Sequence, residues 1–214
     1  MITPANHLVI FAKAPRMGRV KSRLACDVGL LAAWQFYRTN LQNTIFKFSS
    51  RPGHAVPWKT YLALTPDAET LPGFFPKIPI IKQGHGNLGK RMGHVMQEMP
   101  HGPVIIIGTD IPSISHLHIS KAFKILGPSD SVIGPAFDGG YWLIGLKRSP
   151  RNQMNATHHI FKDVRWSSRH TLEDTLNNLK KRHMSTAMLE PLEDVDDEAS
   201  YLRWKDAMRP KDAR

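Results

Sequence analysis

Four consecutive β-branched residues, Val104-Ile-Ile-Ile107, run directly into Gly108-Thr-Asp-Ile-Pro112. A run this short and apolar at every position fits a strand covered on both faces, at the centre of a mainly parallel sheet. Pro112 cannot continue a ladder, so the chain turns there and Asp110 stays at the strand's carboxyl rim. Similar runs predict strands at His7–Ala12, Thr60–Leu64, Pro79–Lys82, Val104–Gly108, Ser131–Gly134, Tyr141–Gly145 and Ser185–Leu189. Helical periodicity predicts helices at Leu30–Phe48, Leu88–Met99, Ile114–Leu126, Ser168–Arg182 and Ala199–Met208. Strands alternating with helices make an α/β fold, a mixed and mostly parallel sheet with helices on both faces. The segments Arg51–Pro57 and Thr65–Pro76 read as Pro/Gly loops. No internal repeat and no low-complexity linker divides the chain, so a single domain over residues 1–214 is expected.

Open α/β sheets bind ligands outside the carboxyl ends of their strands. The first strand ends in Lys13-Ala-Pro-Arg-Met-Gly-Arg-Val-Lys-Ser-Arg23, with cations Lys13, Arg16, Arg19, Lys21 and Arg23 and no acid before Asp27. Gly18 permits close backbone approach, and Pro15 stiffens the turn. Fixed positive charge beside such a loop suits a nucleotide di- or triphosphate. The spacing is neither a Walker loop nor a dinucleotide fingerprint, and a solvated basic turn is the competing reading. Asp110 supplies the one carboxylate with which magnesium is commonly held, water and phosphate oxygens completing its shell. An Asp in an ordinary strand-to-helix turn is the plainer alternative.

Asp138-Gly139-Gly140 lies between two predicted strands and reads first as a hairpin turn. Tyr141 and Trp142 follow it, and paired glycines beside aromatics also suit close approach to a sugar or base. Asp138 is a candidate to bind metal, orient a hydroxyl or act as a base. In Gln83-Gly-His-Gly-Asn-Leu-Gly-Lys-Arg-Met92, Asn87 is a plausible N-cap, and Arg91 either faces a phosphate or is simply solvated. Ser167 or Ser168 is expected to cap a helix. Asp194-Val-Asp196 is read first as helix-capping acid, with reach to the metal as the sharper alternative. His116, His118, His158 and His159 lack zinc spacing and are expected at the surface.

Hydrophobic residues make up 41% of the 214, enough for a sizeable core, and no apolar run is long enough to span a membrane. The N-terminal segment carries no signal-peptide pattern, and the one cysteine, Cys26, is expected to be a small buried filler. Together these fit a cytoplasmic protein. The net charge of +11 favours anionic partners. It is uneven: Lys147–His183 holds nine Lys or Arg against three acids, whereas Glu190–Glu198 holds six acids and no base. Cations here are not regularly interleaved with aromatics, so nucleic-acid binding is a minor alternative.

Taken in order along nearly the whole chain, Phe11–Leu24, Gln83–Met92, Gly108–Pro112, Gly134–Leu146, Trp166-Ser167 and Asp194–Asp196 resemble a known family. It is the bacterial group of the glycosyltransferase-A (GT-A) superfamily long classed as a domain of unknown function, with some members called arsenosugar-biosynthesis glycosyltransferases. Lys21-Ser-Arg-Leu24 is also similar to phospholactate guanylyltransferases, and the layout to molybdenum-cofactor guanylyltransferases. The resemblance implies a nucleotide-diphospho-sugar transferase fold, a nucleotide over the carboxyl edge of the sheet and Mg2+ or Mn2+ at Asp110. It implies a phosphate contact at Lys21. The chain departs from the family at Asn87 and Lys90, where acids are usual, and at Asp197-Glu-Ala-Ser200. It also lacks the Asp-x-Asp of many glycosyltransferases at Asp110.

The resulting assignment has Asp138 and Lys21 as catalytic and Asp110 as metal-binding. Ala12, Lys13, Pro15, Gly18, Lys21, Arg23, Gln83, Gly84, Arg91, Thr109, Gly139, Gly140 and Tyr141 form the nucleotide or substrate site. The expected activity is transfer from a nucleotide-diphospho-sugar to a small-molecule acceptor. Transfer of a nucleotide from an NTP with release of pyrophosphate uses the same residue types and is the alternative. A catalytically weak nucleotide- or anion-binding protein is a third, motivated by Asn87 and Lys90. Base, sugar, acceptor and oligomeric state are left open at this stage.

Overall fold

The computed structural model describes residues 5–148 and 159–208. Seven strands form one sheet in the order β3-β2-β1-β4-β6-β5-β7. They are β1 (His7–Lys13), β2 (Lys59–Thr65), β3 (Ile80–Lys82), β4 (Val104–Ile107), β5 (Ser131–Pro135), β6 (Tyr141–Leu146) and β7 (Thr186–Met188). β1 pairs in parallel with β2 and β4, β2 with β3, and β5 with β7. β6 alone runs against its neighbours β4 and β5. The expected α/β class, mixed and mostly parallel, is the class observed.

Alternation along the central strands divides the core in two. Leu8, Ile10, Leu62, Leu64, Ile105 and Ile107 face one side. There they meet Tyr37, Leu41, Ile45 and Phe48 of α2 (Leu30–Phe48), and Ile119, Ala122 and Phe123 of α4 (His116–Ile125). Val9, Ala63, Val104 and Ile106 face the other. They meet Met92, Val95 and Met96 of α3 (Leu88–Glu98), and Leu179 of α5 (Thr171–Lys181). Each fully buried branched side chain contributes roughly 1.5–3 kcal/mol. All four residues of β4 are buried, as the unbroken Val/Ile run requires. In α2 the buried positions Ala33, Phe36, Tyr37, Asn40, Leu41, Thr44, Ile45 and Phe48 recur at helical spacing.

Several expectations need correction. The basic loop is not loop throughout: Ser22–Val28 forms α1 and packs on α2. Neither Ser167 nor Ser168 is the N-cap of α5; His170 is, with no side-chain cap bond, although the Ser168 hydroxyl accepts from the His170 N–H. Cys26 is exposed, its thiol donating to the Ser22 carbonyl. His116 and His118 are half-buried rather than on the surface: His116 stacks against Trp58, and His118 completes a capping box with Ser115 and approaches Glu190. His159 is exposed, and His158 lies outside the described residues. Asn87 caps α3 as expected, accepting from the Lys90 N–H at 2.9 Å. A final helix, α6 (Glu198–Met208), packs Tyr201 and Trp204 against Phe36.

Candidate active site

The carboxyl ends of β1 to β4 open on one edge of the sheet. Because β6 runs the other way, its first residue, Tyr141, emerges at the same edge. A cleft of about 710 Å³ lies there.

At one end is a knot of charge. Lys21 precedes α1 in a left-handed conformation (φ 49°, ψ 46°). This turns its side chain inward, where only 4% is exposed. Its ammonium lies 2.7 Å from Asp110 Oδ1 and 2.6 Å from Asp196 Oδ1. Burial would lower the Lys21 pKa, but Asp110 and then Asp196 outweigh it and the net direction is up. Asp196 also pays for burial, yet Lys21 holds its carboxyl below the usual carboxylate range. Arg23 stands further out, 3.8 Å from Asp196 Oδ2.

The late segment reaches this point through its backbone. The Val195 N–H donates to the Asp110 carbonyl at 3.1 Å, and the Val195 side chain packs with Leu24, Ala33 and Phe36. Asp194 and Asp196, on either side of Val195, both line the cleft. Burial first, then the charges of Asp196 and Asp138, push Asp194 up to about 6. Asp138 accepts the Gly140 N–H at 2.8 Å in the turn before β6.

At the other end the groups are neutral or singly charged and tightly braced. The Gln83 side chain is 1% exposed. Its amide donates to the carbonyls of Ala12 (2.9 Å) and Ala63 (2.7 Å), and its oxygen accepts from Arg91 Nη1 at 2.8 Å. Burial lowers the Arg91 pKa, and Arg91 Nε is buried without a partner. Tyr37 of α2 ties two ends together: its hydroxyl accepts from the Lys13 N–H, donates to the Lys13 carbonyl and meets the Thr109 hydroxyl. Burial raises the Tyr37 pKa far above its ordinary value. Asn40 donates to the Thr109 carbonyl at 2.7 Å.

The remaining wall of the cleft is formed by Tyr141 and the segment Trp166–Arg169. Ser167 is left-handed here (φ 56°). A side chain at Gly139 would meet the Arg169 backbone at 2.4 Å, which is why this turn needs glycine.

The chain matches, over residues 51–168, the model of a family described as uncharacterized proteins conserved in bacteria, DUF2064. It belongs to that family. Among solved structures, this DUF2064 member is similar to a protein from Desulfovibrio desulfuricans G20 assigned as a nucleotide-diphospho-sugar transferase. The TM-score is 0.83 and the identity 26%, over 97% of this chain and 89% of that one. It shares the fold of 4-diphosphocytidyl-2C-methyl-D-erythritol synthase from Anaerococcus prevotii DSM 20548, with a TM-score of 0.59 and 8% identity, over 96% and 99% of the two chains. A 71-residue stretch is 35% identical to 2-phospho-L-lactate guanylyltransferase of Methanocaldococcus sp. (strain FS406-22). That stretch spans 33% of this chain and 31% of the relative, so the match spans about a third of the curated relative's length. The expected GT-A-like fold and the kinship with guanylyltransferases both hold.

Of the residues singled out in this DUF2064 sequence, Ala12, Lys13, Lys21, Arg23, Gln83, Arg91, Thr109, Asp110, Asp138, Gly140 and Tyr141 line the cleft. Pro15, Gly18, Gly84 and Gly139 are not among the lining residues. The Pro15 carbonyl accepts from Trp34, the Gly84 N–H donates to Asp67, and Gly139 and Gly18 shape turns at positive φ. Asn87 and Lys90, the departures from the family pattern, also lie outside the lining. The sequence reading missed Tyr37, Asn40 and Arg169, and it named Trp166 only within a segment shared with the family. It saw Asp194 and Asp196 but favoured a capping role. The alternation of acid, Val and acid was the signal that both carboxylates share one side.

Among the described residues no three His, Cys, Asp or Glu side chains are gathered to hold a metal ion. The donor set nevertheless fits a hard divalent cation: carboxylate oxygens of Asp110 and Asp196 on one point, with a further carboxyl at Asp194 whose charge is disfavoured by burial and then by its neighbours. Magnesium often takes only one or two protein carboxylates and completes its shell with phosphate and water. Among the described residues no helix is long and apolar enough to cross a membrane.

Proposed function

We propose that the chain is a single GT-A-like transferase domain that moves a sugar from a nucleotide-diphospho-sugar to a hydroxyl-bearing small molecule, with Mg2+ or Mn2+ as cofactor. The observation that carries this reading is the convergence of Lys21, Asp110 and Asp196, separated by up to 175 residues, at one cleft on the carboxyl edge of the sheet. Likeness along almost the full chain to the Desulfovibrio protein supports the sugar-nucleotide donor.

In this reading the nucleotide lies along the ends of β1 and β4, framed by Ala12, Thr109 and the Gln83 brace. Lys13, Lys21, Arg23 and Arg91 face its phosphates. Asp110, together with Asp194 and Asp196, would hold the cation. When bound, the cation supplies electrostatic stabilisation of the charge that develops on the leaving phosphate. Lys21 and Arg23 add fixed positive charge to the same oxygens. Asp138, oriented by the Gly140 N–H, takes the proton of the acceptor hydroxyl. The acceptor oxygen bonds to the anomeric carbon, the bond from that carbon to the phosphate oxygen breaks, and the nucleoside diphosphate leaves with the electron pair. Tyr141, Trp166 and Arg169 wall the acceptor's side.

Nucleotidyl transfer is the second reading, favoured by the local identity to a guanylyltransferase. The same cations then act on pyrophosphate as leaving group. Thermal shift with UDP-sugars, GDP-sugars, CTP and GTP, each with and without Mn2+, separates the two. Stabilisation by sugar nucleotides is the expected result. Stabilisation by NTPs alone would transfer the assignment to nucleotidyl transfer, and none by any nucleotide would reject both.

A further inference from the structure

We propose that Lys21 is a built-in competitor for the divalent cation, so that the ion enters fully only when a phosphate group draws the ammonium away. This rests on the transferase reading and deepens it. The two oxygens a cation would take, Asp110 Oδ1 and Asp196 Oδ1, are the two that Lys21 Nζ bonds, at 2.7 and 2.6 Å. One ammonium and one divalent ion cannot occupy the same point between two carboxylates, because their charges repel and each needs the same lone pairs.

The geometry is not that of a floating surface lysine. The side chain is 4% exposed, its aliphatic stem is enclosed, and its ammonium lies 5.9 Å from the centre of the Phe36 ring. Its left-handed backbone is an uncommon conformation for a residue with a Cβ and commits the side chain inward. The carboxylates, by contrast, are 54% and 39% exposed and reachable from the cleft. Their proximity does not depend on Lys21, because the Val195 N–H fixes the late segment to the Asp110 carbonyl. Removing the ammonium therefore leaves the acid pair in place, with Arg23, 3.8 Å from Asp196 Oδ2, as the cation beside it. Lys21 then has two tasks: it neutralises the pair, and it binds phosphate once the ion has replaced it. Positive coupling between cation and nucleotide follows from that exchange of partners.

The test is a titration of Mn2+ alone, followed by the EPR signal of the free ion. It compares wild type with Lys21→Met, which keeps the stem, and Lys21→Gln, which keeps a hydrogen-bond donor without charge. Both variants are expected to bind Mn2+ at least about tenfold more tightly than wild type, although each loses a cationic contact to the nucleotide phosphates. Unchanged or weaker Mn2+ binding by folded Lys21→Met and Lys21→Gln, with circular dichroism as the check on folding, overturns the proposal. A parallel titration with a nucleoside diphosphate present separates the two layers of inference. If wild type then binds Mn2+ and Asp110→Asn does not, while both Lys21 variants match wild type with Mn2+ alone, only the competition fails. If wild type binds no Mn2+ under either condition, the transferase reading fails with it.

Discussion

The two ends of the cleft are built on opposite principles. At the Gln83 end both polar atoms of the side chain are engaged: the amide nitrogen donates to two backbone carbonyls and the oxygen accepts from one guanidinium. At the Lys21 end, one ammonium serves two carboxylates, and Asp194 sits half-buried against two more acids. The first arrangement is closed and can only hold shape. The second is balanced by exchangeable charge and can trade partners with a ligand. A cleft of this kind needs both, since a fixed frame positions the groups that must respond.

Substitutions at the two ends should therefore fail in different ways. The largest effect is expected from Asp110→Asn: metal-dependent nucleotide binding falls by about 100-fold or more, as loss of a direct metal ligand implies, with little change in folding stability. Calorimetric titration with Mn2+ and nucleotide measures it, and retained metal affinity would remove Asp110 from its role. Gln83→Leu is the counterpart. It strands two buried carbonyls and Arg91, and should cost about 3 kcal/mol of stability in a urea titration. Lost nucleotide binding at unchanged stability would instead make Gln83 a ligand reader and erase the contrast.

Lys21→Ala should weaken nucleoside diphosphate binding by about 1.5–3 kcal/mol, the worth of a charged hydrogen bond. An unaltered dissociation constant would reject the phosphate contact. The acid end should also be visible in the pH dependence of stability. Burial first, then the charges of Asp196 and Asp138, push the Asp194 carboxyl up to about 6, so the folded state binds the proton more tightly than the unfolded chain. Its contribution is most favourable below about pH 4 and is lost as pH rises through about 6. Asp194→Asn should flatten that slope in chemical denaturation measured from pH 4 to 7. The smallest effect is expected from restoring the family's acids with Asn87→Asp and Lys90→Glu. Both positions lie outside the cleft lining, and Asn87 already caps α3, so stability and nucleotide affinity should move by less than about 0.5 kcal/mol.

That last case shows why parts of the site were illegible in sequence. Loss of two acids in a motif suggests altered chemistry, yet the capping oxygen of Asn87 does what an Asp oxygen would do, and Lys90 is exposed. Gln83 was read as a ligand contact within a glycine-rich connection, and it does line the cleft; only the packing of β1 against β2 reveals that its amide also braces the carbonyls of Ala12 and Ala63. Tyr37 and Asn40 carried no signal at all, since a helix stripe of mixed residues reads as core until the strand ends beneath it are placed.

The α/β class, the buried centre at Val104–Ile107, the basic loop after β1 and the rim position of Asp110 follow from local pattern. Burial periodicity and chain-breaking residues act over a few positions and are written directly in the chain. The partnership of Lys21 with Asp196 is different in kind. It needs Val195 anchored on Leu24, Ala33 and Phe36 of α1 and α2, its N–H on the Asp110 carbonyl, and a left-handed residue before a short helix. Those conditions are met only when segments far apart in sequence share a boundary, and electrostatic pairing depends on that distance rather than on composition.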